Sequence, residues 1–142
     1  MSEHDFARCH DYGCTLAHYP TSNLFLGSGA FRLFDALKPD RPVHVALGTD
    51  IGAGTSLSLL ATMGEAYKVS LMAGDTRLSA AQALWLATAG AARALHLHDR
   101  NGHIAPGMED DLCVMDPQAT TLKAQRNAHN TPSTERRRTL MV

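Results

Sequence analysis

The sequence predicts an α/β protein with parallel strands. Two short apolar runs, residues 14–18 and 43–47, indicate strands, and stretches of helical periodicity lie before, between and after them. The second run leads directly into a carboxylate, Asp50, and a glycine-rich turn. Because parallel α/β folds collect functional groups at the carboxyl ends of their strands, Asp50 is the first candidate functional residue.

Four elements are predicted in the first half of the chain. A helix over residues 1–12 begins with Ser2 as its N-cap and ends at Gly13. The first strand, residues 14–18, ends before a proline at position 20, which cannot continue a ladder. A second helix covers residues 30–37, and the strand over residues 43–47 follows it.

Two longer helices and one strand are predicted in the second half. The first helix starts at Thr55 or Ser56, and the second starts at a Ser79 capping box and runs to residue 95. Alternation over residues 111–116 predicts a short strand, and no periodicity continues beyond residue 117. The first helix carries an apolar stripe predicted to be buried, made of Leu60, Met63, Tyr67 and Leu71.

Composition excludes several classes of function. The 142 residues suit one domain, and 13 basic against 14 acidic side chains make nucleic acid an unexpected partner. Three cysteines cannot form a closed disulfide set and no secretory signal is evident, which predicts a cytoplasmic protein. No apolar run approaches the roughly 20 residues that span a bilayer, so a membrane role is not expected.

Eight histidines raise the question of a metal site, since a catalytic zinc ion takes three protein ligands and keeps one position for water. His96 and His98 fall at a predicted helix end, where a C-terminal cap is the favoured interpretation and metal ligation the alternative. Cys9 and Cys14 lack the paired spacing of a structural zinc site.

His18 differs from the other histidines because it and Asp50 both follow from strand ends. Direct metal ligation is one interpretation of His18. A place in the wall of the cleft, orienting another group through a hydrogen bond, is the favoured one.

Five stretches carry a resemblance to a known family. They are residues 16–29 (LAHYPTSNLFLGSG), 47–56 (LGTDIGAGTS), 65–68 (EAYK), 87–95 (ATAGAARAL) and 104–112 (IAPGMEDDL). In these stretches the chain resembles the guanine deaminases of the amidohydrolase superfamily, and the resemblance covers roughly residues 2–125.

The resemblance implies a fold larger than this chain, because a (β/α)8 barrel needs about 250 residues. It places the chain in the C-terminal part of such a metal-dependent hydrolase, with His18 ending the seventh strand and Asp50 following the eighth. Residues 1–100 are then a partial amidohydrolase barrel with the last two strands and their helices. Residues 101–120 form a short β-segment of an accessory β-domain, and residues 121–142 an irregular tail.

The same resemblance implies a reaction and its catalytic residue. In such enzymes a zinc-activated water converts guanine to xanthine and ammonia, a step of purine catabolism, with Asp50 binding the metal and accepting the proton of that water. The family's histidine ligands and proton-shuttling glutamate have no counterparts in this sequence, so the chain is expected to be an incomplete fragment, inactive alone and not a tight zinc binder. Tyr19 stands where the family usually has cysteine.

Two other functions remain open. Exposed edges of a two-stranded sheet would suit a noncatalytic domain that associates with another chain, either a second copy or a complementary barrel portion. A small independent zinc hydrolase using Asp50, His18 and a further histidine is the other.

Overall fold

The computed structural model describes residues 1–74, 76–109 and 111–128, and it confirms an α/β protein. Within those residues the elements in chain order are α1 (Glu3–Asp11), β1 (Thr15–His18), α2 (Pro20–Phe25), α3 (Leu33–Ala36), β2 (His44–Leu47), α4 (Leu59–Ala73), α5 (Ala80–Ala87), α6 (Ala89–Ala94) and α7 (Thr121–Ala128). No helix among them is long and apolar enough to cross a membrane.

The first helix begins and ends where its sequence predicts. The Ser2 side chain accepts a hydrogen bond from the Asp5 N–H, and the Asp5 carboxylate accepts one in return from the Ser2 N–H at 2.7 Å. This capping box satisfies two amides at the helix start that have no partner within the helix. At the other end Gly13 adopts a positive φ of 62°, which suits glycine.

The two strands pair in parallel, with Thr15 opposite His44 and His18 opposite Leu47. Both predicted strands are confirmed, each one residue shorter at its start. Because the strands are parallel and in register, the loops that follow them leave from the same edge of the sheet. The apolar core packs around this pair, and its buried members are Phe6, Leu33, Ala36, Val43, Val45, Leu47, Met63, Ala66, Leu78, Ala83 and Leu86.

Helix α2 is absent from the sequence prediction, which treats Pro20 only as the end of a strand. Pro20 occupies the first helical turn, where its missing N–H has no intrahelical partner to lose and its fixed φ suits a helix. The helix predicted over residues 30–37 is confirmed only for Leu33–Ala36.

Helix α4 starts later than predicted. Its N-cap is Ser58, whose Oγ accepts a hydrogen bond from the Ala61 N–H at 3.2 Å, so the prediction of Thr55 or Ser56 as the cap is wrong. The predicted stripe is also only partly right: Met63 is buried, Leu60 and Tyr67 are half-buried, and Leu71 is exposed.

The helix predicted from Ser79 to residue 95 forms as two helices. The Ser79 capping box is confirmed, but the chain breaks at Thr88, with φ −130° and ψ −102°. Trp85 packs so closely on Gly90 that a Cβ there would lie 2.5 Å from a ring carbon. Tertiary packing therefore outweighs the helix propensity of the alanine-rich run.

The end of the chain departs most from the prediction. No strand forms at residues 111–116, where Val114 is 95% exposed, so the described part of the expected β-segment (101–109 and 111–120) contains no strand. The tail is predicted to be irregular from residue 121, but Thr121–Ala128 is helix α7. The remaining tail residues, 129–142, lie outside the described part of the chain.

Candidate active site

The loops after β1 and β2 bring the candidate residues to one edge of the sheet. His18 is the last residue of β1, and Tyr19 leads from it into α2. β2 ends at Leu47, after which Gly48 and Thr49 lead to Asp50. The Gly48 N–H donates to the His18 carbonyl at 3.1 Å, so the two chain segments remain in contact just beyond the strands.

Asp50 lies on the surface in a tight turn. Its backbone has a positive φ of 49°, a left-handed conformation that aspartate tolerates better than most residues. The Asp50 carbonyl accepts hydrogen bonds from the Ala53 and Gly54 amides, which closes the turn. Gly54 is required there, because a Cβ would lie 1.8 Å from the Thr49 carbonyl oxygen. The glycine-rich sequence thus fixes the direction in which Asp50 leaves the strand.

Ser22 holds the Asp50 carboxylate from helix α2. Its hydroxyl, in a side chain only 2% exposed, donates a hydrogen bond of 2.7 Å to Asp50 Oδ2. Among the described residues Oδ1 of Asp50 accepts no hydrogen bond. One carboxylate oxygen is therefore oriented by α2, while the other can accept a proton or contact a ligand.

His18 points into the protein. Its side chain is 1% exposed and stacks at an angle on Phe31, with ring centroids 4.9 Å apart. Burial lowers the pKa of His18 to about 4, so the ring is neutral near pH 7. Among the described residues Nδ1 has no hydrogen-bond partner. The structure places His18 in the wall beneath the strand ends, whereas Asp50 is exposed.

Tyr19 packs over the start of the Asp50 loop. A Cβ on Gly48 would lie 2.4 Å from Tyr19 Cε1, so the absence of a side chain at position 48 makes room for the ring. The half-buried Tyr19 thus fills space between the two loops. The resemblance implies a cysteine at this position, and the loops accommodate the tyrosine ring in its place.

The other candidate histidines lie elsewhere. His96 follows α6 with a positive φ of 59°, its N–H donates to the Arg93 carbonyl, and the Leu97 N–H donates to the Ala92 carbonyl. This is the hydrogen-bond pattern of a Schellman helix end, which agrees with the predicted C-terminal cap. His98 is exposed in the turn that follows. His129 lies outside the described residues.

A zinc site requires several donor side chains that lie close together. Across residues 1–74, 76–109 and 111–128, no three His, Cys, Asp or Glu side chains come together as a metal site. Asp50 supplies one carboxylate and the buried His18 does not complete a set with it, so these residues alone do not fit a zinc ion. They equally fail to assemble the site that an independent zinc hydrolase would require.

Two open cavities of the described residues lie away from Asp50. They have volumes of about 240 and 290 Å³, on the α3 and α1 sides of the molecule, and neither is lined by His18 or Asp50. A binding pocket usually encloses most of a small ligand. Neither of these two cavities therefore encloses a binding site around Asp50.

Ser22 forms a contact with Asp50 that sequence reasoning missed. No local pattern connects it with Asp50, which lies 28 positions away in sequence. The available signal was its position in the loop after a strand parallel to the one that carries Asp50. Such loops meet at one edge of the sheet.

Comparisons with known proteins agree with the geometry. The profile of the Amidohydrolase family matches residues 1–142. Guanine deaminase of Escherichia coli (strain K12) is 46% identical over 126 residues, which cover 89% of this chain and 28% of that protein.

Solved structures give the same picture. A structure of E. coli guanine deaminase superposes with a TM-score of 0.93 at 42% identity, over 99% of this chain and 32% of that one. A zinc-bound adenosine deaminase from Xanthomonas campestris has a TM-score of 0.67 at 31% identity, over 76% of this chain and 25% of its own. The chain thus spans about a third or less of the length of these relatives.

Proposed function

Because this chain belongs to the amidohydrolase family, we propose that it supplies the proton-accepting strand end of a guanine deaminase, which converts guanine and water to xanthine and ammonia. The observation that carries the proposal is Asp50, an exposed carboxylate just after a parallel strand, fixed by a closed turn and by Ser22. Its Oδ1 accepts no hydrogen bond from the described residues. The similarity to E. coli guanine deaminase over 89% of the chain supports the choice of substrate.

In this proposal Asp50 acts as a general base. Its Oδ1 accepts a proton from the water that attacks the amino-bearing carbon of guanine, and Ser22 keeps Oδ2 in place during the transfer. His18 remains neutral within the wall below the site, and its role is to support α2, the helix that carries Ser22. The zinc ion implied by the resemblance would need further donors from outside the described residues, since these do not form a site.

The proposal also places the chain within a larger fold. We assign residues 1–100 to the last two strands and helices of a (β/α)8 barrel in the cytoplasm, and β1 and β2 to its seventh and eighth strands. Two parallel strands cannot close a barrel, so the isolated chain is expected to be inactive and not to retain zinc.

A chimera tests this proposal. The segment of E. coli guanine deaminase that the chain matches is replaced by this chain, and xanthine formation from guanine is followed together with the zinc content. We expect an active, zinc-loaded chimera and an inactive isolated chain. An inactive chimera that folds and holds zinc would contradict the assignment. Guanine deamination by the isolated chain with stoichiometric zinc would contradict its fragmentary nature.

A second candidate function rests on the sheet itself. In the described part of the chain β1 and β2 pair only with each other, so each strand presents an outer edge. Such edges favour a noncatalytic domain that associates with a second copy or a complementary barrel portion. Size-exclusion chromatography tests it: a monomer that unfolds cooperatively would exclude obligatory pairing, and a stable dimer would support it.

A further inference from the structure

The end of α1 brings two cysteines together. The Gly13 N–H donates to the His10 carbonyl at 3.0 Å, and the Cys14 N–H donates to the Cys9 carbonyl at 2.8 Å. With Gly13 at a positive φ, these two bonds define a Schellman motif. In that motif the side chains of the residues at the positions of Cys9 and Cys14 usually contact each other, and the contact is usually apolar.

The two thiols have different surroundings. Cys9 is half-buried and packs against the apolar core, whereas Cys14 is exposed immediately before β1. Burial raises the pKa of the Cys9 thiol, and the neighbouring Cys14 adds to the effect through its charge and a side-chain hydrogen bond. Both thiols are free, and no disulfide joins them.

We propose that Cys9 and Cys14 form a reactive thiol pair that small-molecule disulfides convert to an intrachain disulfide across the end of α1. The exposed Cys14 reacts first: its thiolate attacks one sulfur of the reagent, the reagent's S–S bond breaks, and one thiolate leaves. Cys9 then loses its proton to solvent, attacks the Cys14 sulfur, and releases the second thiol. The two cysteines lose two electrons and two protons, which the reagent gains as it becomes two thiols.

The different surroundings of the thiols fit this order of events. Accessibility governs the first attack, which favours Cys14 over the partly covered Cys9. The Schellman bonds hold the two residues together, so the second attack is intramolecular. The site is independent of Asp50 and of the proposed deaminase activity.

Oxidised glutathione and mass spectrometry test the proposal on the full chain. After reaction, free thiols are alkylated and the chain is digested with trypsin. Residues 9–32 then form one peptide, because no Lys or Arg lies between Arg8 and Arg32. In the disulfide form this peptide is about 2 Da lighter and takes up no alkylating reagent. We expect the disulfide form to exceed the form in which both cysteines are modified by at least about tenfold.

Cys113 is the internal control, because it is also exposed and falls in a different peptide. It is expected to remain a mixed disulfide with glutathione. A Cys9→Ser chain should likewise stop at a glutathione adduct on Cys14, and Cys9→Ala repeats this measurement if the serine variant unfolds. Peptides carrying two adducts or two alkylated thiols, once Cys113 has fully reacted, would overturn the proposal. So would equal closure of the pair in concentrated urea, because the helix-end motif would then contribute nothing.

Discussion

The ends of the two parallel strands are neighbours in space but differ in chemistry. β1 ends in His18, a neutral imidazole that is 1% exposed and packed on Phe31. β2 leads into Asp50, an exposed carboxylate whose direction is set by a closed turn and a hydrogen bond from Ser22. A position at a strand end therefore does not by itself make a residue catalytic. Packing on Phe31 takes the His18 side chain into the core, whereas the turn at Asp50 leaves its carboxylate exposed.

Among substitutions at the two strand ends, the largest expected loss of activity follows from a change at Asp50. Replacing it with asparagine keeps the shape and the Ser22 contact but removes the proton acceptor. We expect xanthine formation by the chimera with E. coli guanine deaminase to fall about 10³-fold. Asp40, an exposed acid in the loop before β2, is the matched control, and Asp40→Asn should leave the rate unchanged. A chimera that stays fully active after the Asp50→Asn substitution would remove Asp50 from the chemistry.

The turn that directs Asp50 offers the next test. In Gly54→Ala the new methyl group collides with the Thr49 carbonyl, so the turn must open. We expect a loss of about 3 kcal/mol in the free energy of unfolding, measured by urea titration. Gly74→Ala is the control, because Gly74 has extended backbone and nothing within 4 Å of the added carbon. Equal effects of the two substitutions would show that the turn does not constrain Asp50.

Much of this fold follows from local patterns in the sequence. The Ser2 N-cap, the Ser79 capping box, the stop at Gly13 and both strands depend on nearby residues and are confirmed. The alternation over residues 111–116 failed as a strand prediction, because alternation describes one side of a sheet and a strand also needs a partner to pair with.

The candidate site was predictable only in part. Asp50 stands out because a strand and a turn flank it in sequence, whereas its hydrogen bond to Ser22 depends on how α2 is placed against that turn. The burial of His18 likewise depends on Phe31, which lies in the segment between α2 and α3 and not beside His18 in sequence. Contacts of this kind come from tertiary packing and have no local signature.

The burial of His18 at the end of β1 predicts that the stability of the protein depends on pH. The unfolded imidazole has a pKa near 6.5 and the buried one a pKa of about 4, so the unfolded state binds more protons between these values. The stabilisation is fully present above pH 6.5 and is lost as the pH falls to about 4. The difference between the two pKa values corresponds to a loss of about 3 kcal/mol in the free energy of unfolding.

Urea unfolding of the intact chain at several pH values measures this effect. Because carboxylates also titrate at low pH, the informative quantity is the difference in slope between the wild type and His18→Leu. The variant should lose stability less steeply on acidification, while a control at the exposed His98, His98→Gln, should follow the wild type. Parallel curves for the wild type and His18→Leu would mean that His18 is not held neutral by burial.

The smallest expected effect on activity follows from loss of the hydrogen bond between Ser22 and Asp50. Ser22→Ala removes the hydroxyl that orients Asp50 Oδ2 but leaves the proton acceptor in place. We expect kcat of the chimera to fall about tenfold with little change in KM, since a hydrogen bond to a charged group contributes about 1.5–3 kcal/mol. Ser22→Thr retains a hydroxyl and should recover part of the rate, which a purely structural role would not predict for a bulkier residue in a buried position. If alanine and threonine lower kcat equally, packing around position 22 and not the hydrogen bond controls Asp50.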